Sequence, residues 1–107
     1  MSDAAKLIDL SQVQGPVLTG RDRGEQLRAK FNLDALDAAG AVVDVTVPDT
    51  TYAITSSFFL GMFVPSVKHA GSKEAFYSHF RFKAPEFLLA PMDDFVSRAL
   101  QPKNLFA

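Results

Sequence analysis

A chain of 107 residues, of which 48% are hydrophobic and 21% charged, has the length and composition of one globular domain. The formal net charge of −1 argues against a protein whose main task is to bind nucleic acid, because such a charge does not attract a phosphate backbone. The absence of cysteine excludes disulfides, thiolate catalysis and zinc sites built on sulfur.

No segment of the sequence has the pattern of a membrane span or a secretory signal. The most apolar run, 54–67, is interrupted by hydroxyl residues and by Pro65, and its length of about 14 residues falls short of the roughly 20 that a bilayer requires. Residues 1–6 lack the charged-then-apolar order of a signal peptide. We therefore expect a cytoplasmic protein with no membrane contact, built as one domain with a core over 6–101 and a tail over 102–107.

The first half of the chain predicts two strands and two helices. In chain order these are a strand over 6–10, a helix over 23–32, a shorter helical piece over 34–39 and a strand over 41–47. The spacing of Thr19 and Asp22 is that of a capping box opening the first helix, and Gly40 suits the end of the second. The last strand is the clearest of these elements, because its residues are mostly β-branched.

The second half predicts a short extended stretch, a buried helix, a half-exposed strand and a final helix. These cover, in order, 52–54, a helix from Ser56 or Ser57 to Gly71, the strand 76–83, a loop or single turn over 85–91, and a helix from Pro91 to the residue before Pro102. Pro65 should kink the buried helix, because proline removes one hydrogen bond. Alternating strands and helices indicate an α/β fold, here a small mixed β-sheet with helices packed against it.

Phenylalanine is concentrated in the second half of the chain. Ten Phe and no Trp are present, and nine of the ten lie at or after position 58. Such a distribution is typical of an aromatic core, and it also fits an apolar face for a partner or a second copy of the protein.

Three hydroxyl residues, Thr55, Ser56 and Ser57, stand where the buried helix begins. A hydroxyl at a helix N-terminus commonly caps unpaired backbone N–H groups. The same position also suits a phosphate, since the helix dipole favours negative charge there. Phosphorylation would add about −2 of charge to the surface that a partner contacts.

Several motifs follow one another along the chain in a recognisable order. They are Gly20-Arg21 with Gly24 at the first helix, the strand 42–45, the turn Ser56-Ser57-Phe58, the helix ending at Gly71, and Phe80-Arg81-Phe82 before the last helix. In this order and spacing, the segment 19–100 resembles the STAS-like domain, a bacterial family related to the anti-sigma factor antagonists.

The resemblance implies a STAS-like fold and a regulatory, protein-binding role. In anti-sigma antagonists, a serine at the turn before the second helix is phosphorylated by a partner ATPase of the histidine-kinase-like type, which breaks the complex. By position Ser57 matches that phosphoacceptor, with Ser56 as the neighbouring candidate. Thr55, Phe58 and Phe59 would belong to the docking face. The implied partner is a histidine-kinase-like ATPase or an anti-sigma factor.

Where the antagonists have Asp-Ser-Ser-Gly, this chain has Thr55-Ser56-Ser57-Phe58. Docking without phosphorylation therefore stays open beside the phosphorylated switch. A different class of function also stays open, in which the domain senses a small ligand or acts as a scaffold and self-associates as a homo-oligomer.

The glycine-rich stretch 20–24 lacks the Gly-Lys-Ser/Thr ending of a phosphate-binding P-loop. Its simplest interpretation is a solvated helix start. The alternative is that Arg21 and Arg23 contact an acidic or phosphorylated partner.

Residues suited to metal binding or catalysis are sparse. His69 and His79 are ten positions apart on different predicted elements, which argues against a chelating pair. Ser57, either histidine and Asp44 could form a nucleophilic triad on paper, as such residues could in most globular proteins. We expect no metal, no cofactor and no enzymatic activity.

Overall fold

The computed structural model describes residues 6–13 and 15–101, and strands and helices alternate along them as an α/β fold requires. The strands are β1 (Lys6–Asp9), β2 (Val17–Leu18), β3 (Val43–Thr46), β4 (Ala53–Ile54) and β5 (Phe80–Lys83). The α-helices are α1 (Arg21–Lys30), α2 (Leu33–Ala39), α3 (Ser56–Met62), α4 (Val64–Ala70), α5 (Lys73–His79) and α6 (Glu86–Ala99). A 3₁₀ turn covers Leu10–Gln12.

The strands form two small sheets. β1, β3 and β5 make a three-stranded sheet in that order, and β2 pairs with β4. Each of these pairs is parallel, so the prediction of a mixed sheet is wrong for the described residues. Helices lie between the two members of every pair, and a helical crossover returns the chain to the same end of the sheet before the next strand begins.

The core lies against one face of the three-stranded sheet. Ile8, Val43 and Val45 are buried there, because alternate residues of a strand point to the same face. The helices contribute most of the aromatic rings, and Phe58, Phe59, Phe63 and Phe76 are at most 1% exposed. The concentration of Phe in the second half therefore marks a core. The interpretation as an apolar docking face is wrong for these buried rings; Phe87 is 59% exposed, and Phe106 lies outside the described residues.

The predicted kink at Pro65 is a complete break between α3 and α4. Phe63 separates the two helices, and Pro65 lies in the first turn of α4. At that position a proline costs little, since the first backbone N–H groups of a helix have no partner inside the helix. α4 ends at Gly71, whose φ of 84° is left-handed.

Residues 76–79 are helical, so the strand predicted over 76–83 is wrong in its first half. Ser72 begins α5, since its Oγ accepts a hydrogen bond from the Ala75 N–H at 3.1 Å. Only the last residues of the predicted strand, Phe80–Lys83, pair with β3. Phe76 still points into the core, where it stacks on Phe80 with ring centroids 5.1 Å apart.

The final helix begins at Glu86, well before the predicted start, and contains Pro91 in its interior. It is attached to α5 through Asp93, which accepts hydrogen bonds from Lys73 Nζ at 3.0 Å and Tyr77 Oη at 2.9 Å. Burial, together with the hydrogen bond to Asp93, raises the pKa of Tyr77 above its ordinary value.

The predicted tail over 102–107 lies outside the residues that the structure describes. Among the described residues, no helix is long and apolar enough to cross a bilayer.

Candidate docking site

The two-stranded pair brings the beginnings of two helices side by side. Leu18 of β2 pairs with Ile54 of β4, and the residue that follows each strand is a threonine. Because the strands are parallel, Thr19 and Thr55 leave the pair at the same end. α1 and α3 start directly afterwards, so their N-termini lie next to each other.

Three hydroxyl groups meet at this point, and we call Thr19, Thr55 and Ser57 the hydroxyl cluster. Thr55 Oγ1 donates to Thr19 Oγ1 at 3.2 Å and lies 3.1 Å from Ser57 Oγ. Thr55 Oγ1 also accepts from the Phe58 N–H at 3.3 Å and is therefore the cap of α3. The prediction that Ser56 or Ser57 caps this helix is wrong. The Ser57 residue is exposed and Ser56 is half-buried.

The predicted capping box at α1 is also absent. Gly20 is the N-cap of that helix and no side chain caps it. The Thr19 hydroxyl is engaged by Thr55 instead. As a result, α1 begins at Arg21, two residues before the predicted start, and Arg21 lies in its first turn.

Two glycines allow α1 and α3 to pack backbone against backbone. A Cβ at Gly24 would overlap the carbonyl oxygen of Phe58 and lie 2.9 Å from the amide nitrogen of Met62. A Cβ at Gly61 would overlap the carbonyl oxygen of Arg21. Neither neighbour is a flexible side chain that could move aside, so only glycine permits this contact.

A groove runs beside this contact, between α1 on one side and α3 with α4 on the other. We call it the α1–α3 groove; its volume is about 610 Å³. Its lining residues are Arg21, Glu25, Arg28, Ala29, Asp34, Leu60, Gly61, Val64, Pro65 and Lys68. Ser57 precedes Leu60 and Gly61 by three and four positions, which places them on one face of α3. The exposed Ser57 therefore lies one helical turn before the groove residues of α3, outside the groove lining.

The groove has an apolar floor and charged sides. Leu60, Val64 and Pro65 supply the apolar contacts along α3 and α4. Arg21 Nε pairs with Glu25 at 3.1 Å, and both side chains are more than half exposed. An apolar strip with a charged rim is the usual composition of a surface that binds another protein.

A buried arginine is part of the groove lining. Arg28 is 8% exposed and joins α1 to the break between α3 and α4. Its Nη1 donates to the Met62 carbonyl oxygen and to Ser66 Oγ, both at 2.8 Å. Its Nη2 donates to Asp34 at 2.6 Å and to Asp37 at 2.8 Å. The guanidinium thus fixes the broken helix against α1 and holds α2 in place.

The remaining predicted site residues fall into different places. Phe58 and Phe59 are each 0% exposed, so their assignment to the docking face is wrong. Both side chains pack in the core, directly after the turn. Arg21 lines the groove, whereas Arg23 is half-buried and outside its lining.

The acid and the two histidines considered for a nucleophilic triad lie on different elements. Both carboxylate oxygens of Asp44 accept hydrogen bonds from Arg81, at 2.7 and 3.0 Å. His69 is exposed on α4, and His79 is half-buried at the end of α5.

Sequence reasoning missed the groove and the buried Arg28. Two signals in the sequence point to them. A glycine inside a predicted helix often marks a close approach of two backbones, and Gly24 and Gly61 are such residues. Leu60 follows Ser57 by three positions and Val64 follows Leu60 by four, a spacing that places the three residues on one face of a helix.

Comparison with known proteins returns no family model, no curated protein and no solved structure that matches this chain.

Proposed function

We propose that the protein is a regulatory binding module of STAS-like fold that docks a partner protein through the hydroxyl cluster and the α1–α3 groove. The observation that carries the proposal is the exposure of Ser57, one helical turn before the groove residues Leu60 and Gly61 of the same helix. A partner that fills the groove and extends toward the start of α3 would contact Ser57.

The packing around the turn supports a docking role. Phe58 and Phe59, immediately after Ser57, are fully buried, and the Thr55 cap holds the start of α3. A surface that packing and capping already hold in place loses little conformational freedom on binding. The apolar floor of the groove suits a segment of a partner protein with apolar side chains on one face.

The proposed regulation is phosphorylation of Ser57 by a histidine-kinase-like ATPase, as the resemblance to anti-sigma antagonists suggests. The hydroxyl of an exposed serine is accessible to such a kinase. A phosphate there would add about −2 of charge at the N-terminus of α3, which the helix dipole favours, so the fold is retained. The same charge would oppose acidic groups of a docked partner, and the complex would dissociate.

A pull-down with paired baits tests this function. Wild type, Ser57→Ala and Ser57→Glu are used to recover partners from a lysate of the source organism in the presence of ATP. We expect wild type and Ser57→Ala to recover an ATPase of the histidine-kinase-like type or an anti-sigma factor. Ser57→Glu should recover at least ten-fold less of it, a loss of about 1.4 kcal/mol in binding.

Ser78→Glu is the matched control for added charge. Ser78 is also an exposed serine, on α5 and outside the groove lining, so this variant should bind like wild type. Equal recovery of the partner by Ser57→Glu and wild type would contradict the phosphoswitch. Recovery of no such partner by any bait would contradict the regulatory function itself.

A further inference from the structure

The three-stranded sheet leaves one of its faces uncovered. Parallel sheets are normally buried on both faces, because the crossover connections between parallel strands place helices on those faces. Here one face packs on the core, whereas the other presents Leu7, whose residue is 66% exposed. The described part of the chain places no element over this second face, which we call the open face. A depression of about 420 Å³ lies on it, and its lining includes Leu7, Asp44, Thr46, Arg81 and Lys83.

An acid and a base lie side by side at the middle of the open face. Asp44 of β3 and Arg81 of β5 are in register. The Arg81 guanidinium donates two hydrogen bonds to the Asp44 carboxylate, from Nε at 2.7 Å and from Nη2 at 3.0 Å. The side chains remain 59% and 38% exposed for Arg81 and Asp44, respectively. The hydrogen bonds from Arg81 hold the pKa of Asp44 below its ordinary value, so the pair is charged at neutral pH.

The charges of the open face balance and are separated by strand. Residues in register on neighbouring strands point to the same face of the sheet, and so do residues two positions apart on one strand. This face therefore carries the row Leu7, Asp44 and Arg81 and the row Asp9, Thr46 and Lys83. The acids lie on β1 and β3 and the bases on β5. A partner of one charge sign, such as nucleic acid, would leave half of these groups without an opposite charge. Rotation by 180° about an axis between β3 and β5 would bring the acid of β3 opposite a base of β5, whereas β1 would lie outside the overlap.

We propose that the open face is the interface of a reversible homodimer, in which a second copy covers the sheet. A two-fold axis parallel to the strands and between β3 and β5 places Asp44 opposite the Arg81 of the second copy, and Arg81 opposite its Asp44. The two sheets then stack face to face, about 10 Å apart, as in other sheet-on-sheet packings. Each carboxylate gains a second guanidinium neighbour, and β1 with Leu7 lies at the border of the interface.

The size of the face sets the strength of the association. Strands of this length, about 3.3 Å per residue and about 4.8 Å apart, give a sheet face of roughly 10–15 Å on each side. A stable obligate dimer buries considerably more surface. The dimer should therefore dissociate on dilution. Because the open face shares no lining residue with the α1–α3 groove, this proposal does not depend on the proposed function.

Two charge-reversed variants test the homodimer. Asp44→Arg gives two bases at the centre of the face, and Arg81→Asp gives two acids. Each variant alone should remain monomeric by sedimentation equilibrium, because two copies would oppose like charges. An equimolar mixture of the two should dimerise, because the acidic face of one then complements the basic face of the other.

Wild type should show a mass that rises above 11.7 kDa with concentration. Glu74→Arg, a charge reversal at an exposed position on α5, should behave like wild type, and circular dichroism should confirm that every variant is folded. A wild-type mass that stays at the monomer value from about 10 µM to about 1 mM would overturn the proposal. Dimerisation of either charge-reversed variant alone, or a mixture that stays monomeric when wild type dimerises, would overturn it as well.

Discussion

Replacing Gly61 with alanine is expected to lower the free energy of unfolding by about 3 kcal/mol, although alanine is the better helix former. The added methyl group would overlap the carbonyl oxygen of Arg21 and lie 3.0 Å from the amide nitrogen of Glu25. Both atoms belong to the backbone of α1, so relief requires the two helices to move apart. That movement would loosen the packing of Phe58 and Met62, which α3 buries in the core.

Gly40→Ala separates the steric effect from the general effect of adding a methyl group. A Cβ at Gly40 meets no atom within 4 Å, and the cost there comes from its left-handed φ of 68°, about 1 kcal/mol. Denaturant unfolding of both variants and wild type gives the comparison. A Gly61→Ala variant that is as stable as Gly40→Ala would show that α1 and α3 are not in backbone contact.

Replacing Arg28 with methionine is expected to cost about 3 kcal/mol of stability, because the substitution leaves a nearly buried carboxylate without its cation. Asp37 has a side chain only 9% exposed and pairs with Arg28 at 2.8 Å. The carbonyl oxygen of Met62 also loses its hydrogen bond from Arg28. This contact holds the break between α3 and α4, so proteolysis near Phe63 should also become faster in the variant.

Adding Asp37→Asn to Arg28→Met should recover part of the lost stability, since the uncompensated charge is removed. Arg21→Met is the matched control, because it breaks the exposed Arg21–Glu25 pair of the same helix and should change stability by less than about 0.5 kcal/mol. Urea titrations of the four proteins measure these differences. Equal losses for Arg28→Met and Arg21→Met would mean that the buried network does not stabilise the fold.

Local signals in the sequence predicted several elements correctly. The β-branched residues of 41–47 contain β3, and Gly40 ends α2 in a left-handed conformation. Proline at position 65 predicted a disturbance of the buried helix, and the helix is broken there. Each of these outcomes depends on preferences of a few adjacent residues, which is the information that a single sequence carries best.

The errors arose where distant residues decide the structure. Alternation of apolar and polar residues in the second half of 76–83 suggested a strand over the whole segment, but Ser72 caps a helix that extends to His79. The parallel order of the sheet depends on pairings between residues far apart in sequence. Thr19 was expected to cap its own helix, whereas its hydroxyl pairs with Thr55.

The candidate site was predicted in part. Its turn could be located, because hydroxyl residues just before an apolar segment are typical of a helix N-terminus. The groove could not, since it exists only where α1 packs on α3 through Gly24 and Gly61. The roles of Phe58 and Phe59 were misjudged because the helix face that meets the core is set by that same packing.

The central claim, that a partner occupies the α1–α3 groove, is tested most directly by obstructing the groove without disturbing the fold. Ala29 lines the groove and is exposed on α1, and Ala90 is exposed on α6 outside the groove. We would compare Ala29→Arg, Ala90→Arg and wild type for affinity toward the ATPase or anti-sigma factor recovered in the pull-down. We predict that Ala29→Arg weakens binding at least ten-fold, about 1.4 kcal/mol, and that Ala90→Arg binds like wild type. Equal affinity of Ala29→Arg and wild type would contradict docking in the groove.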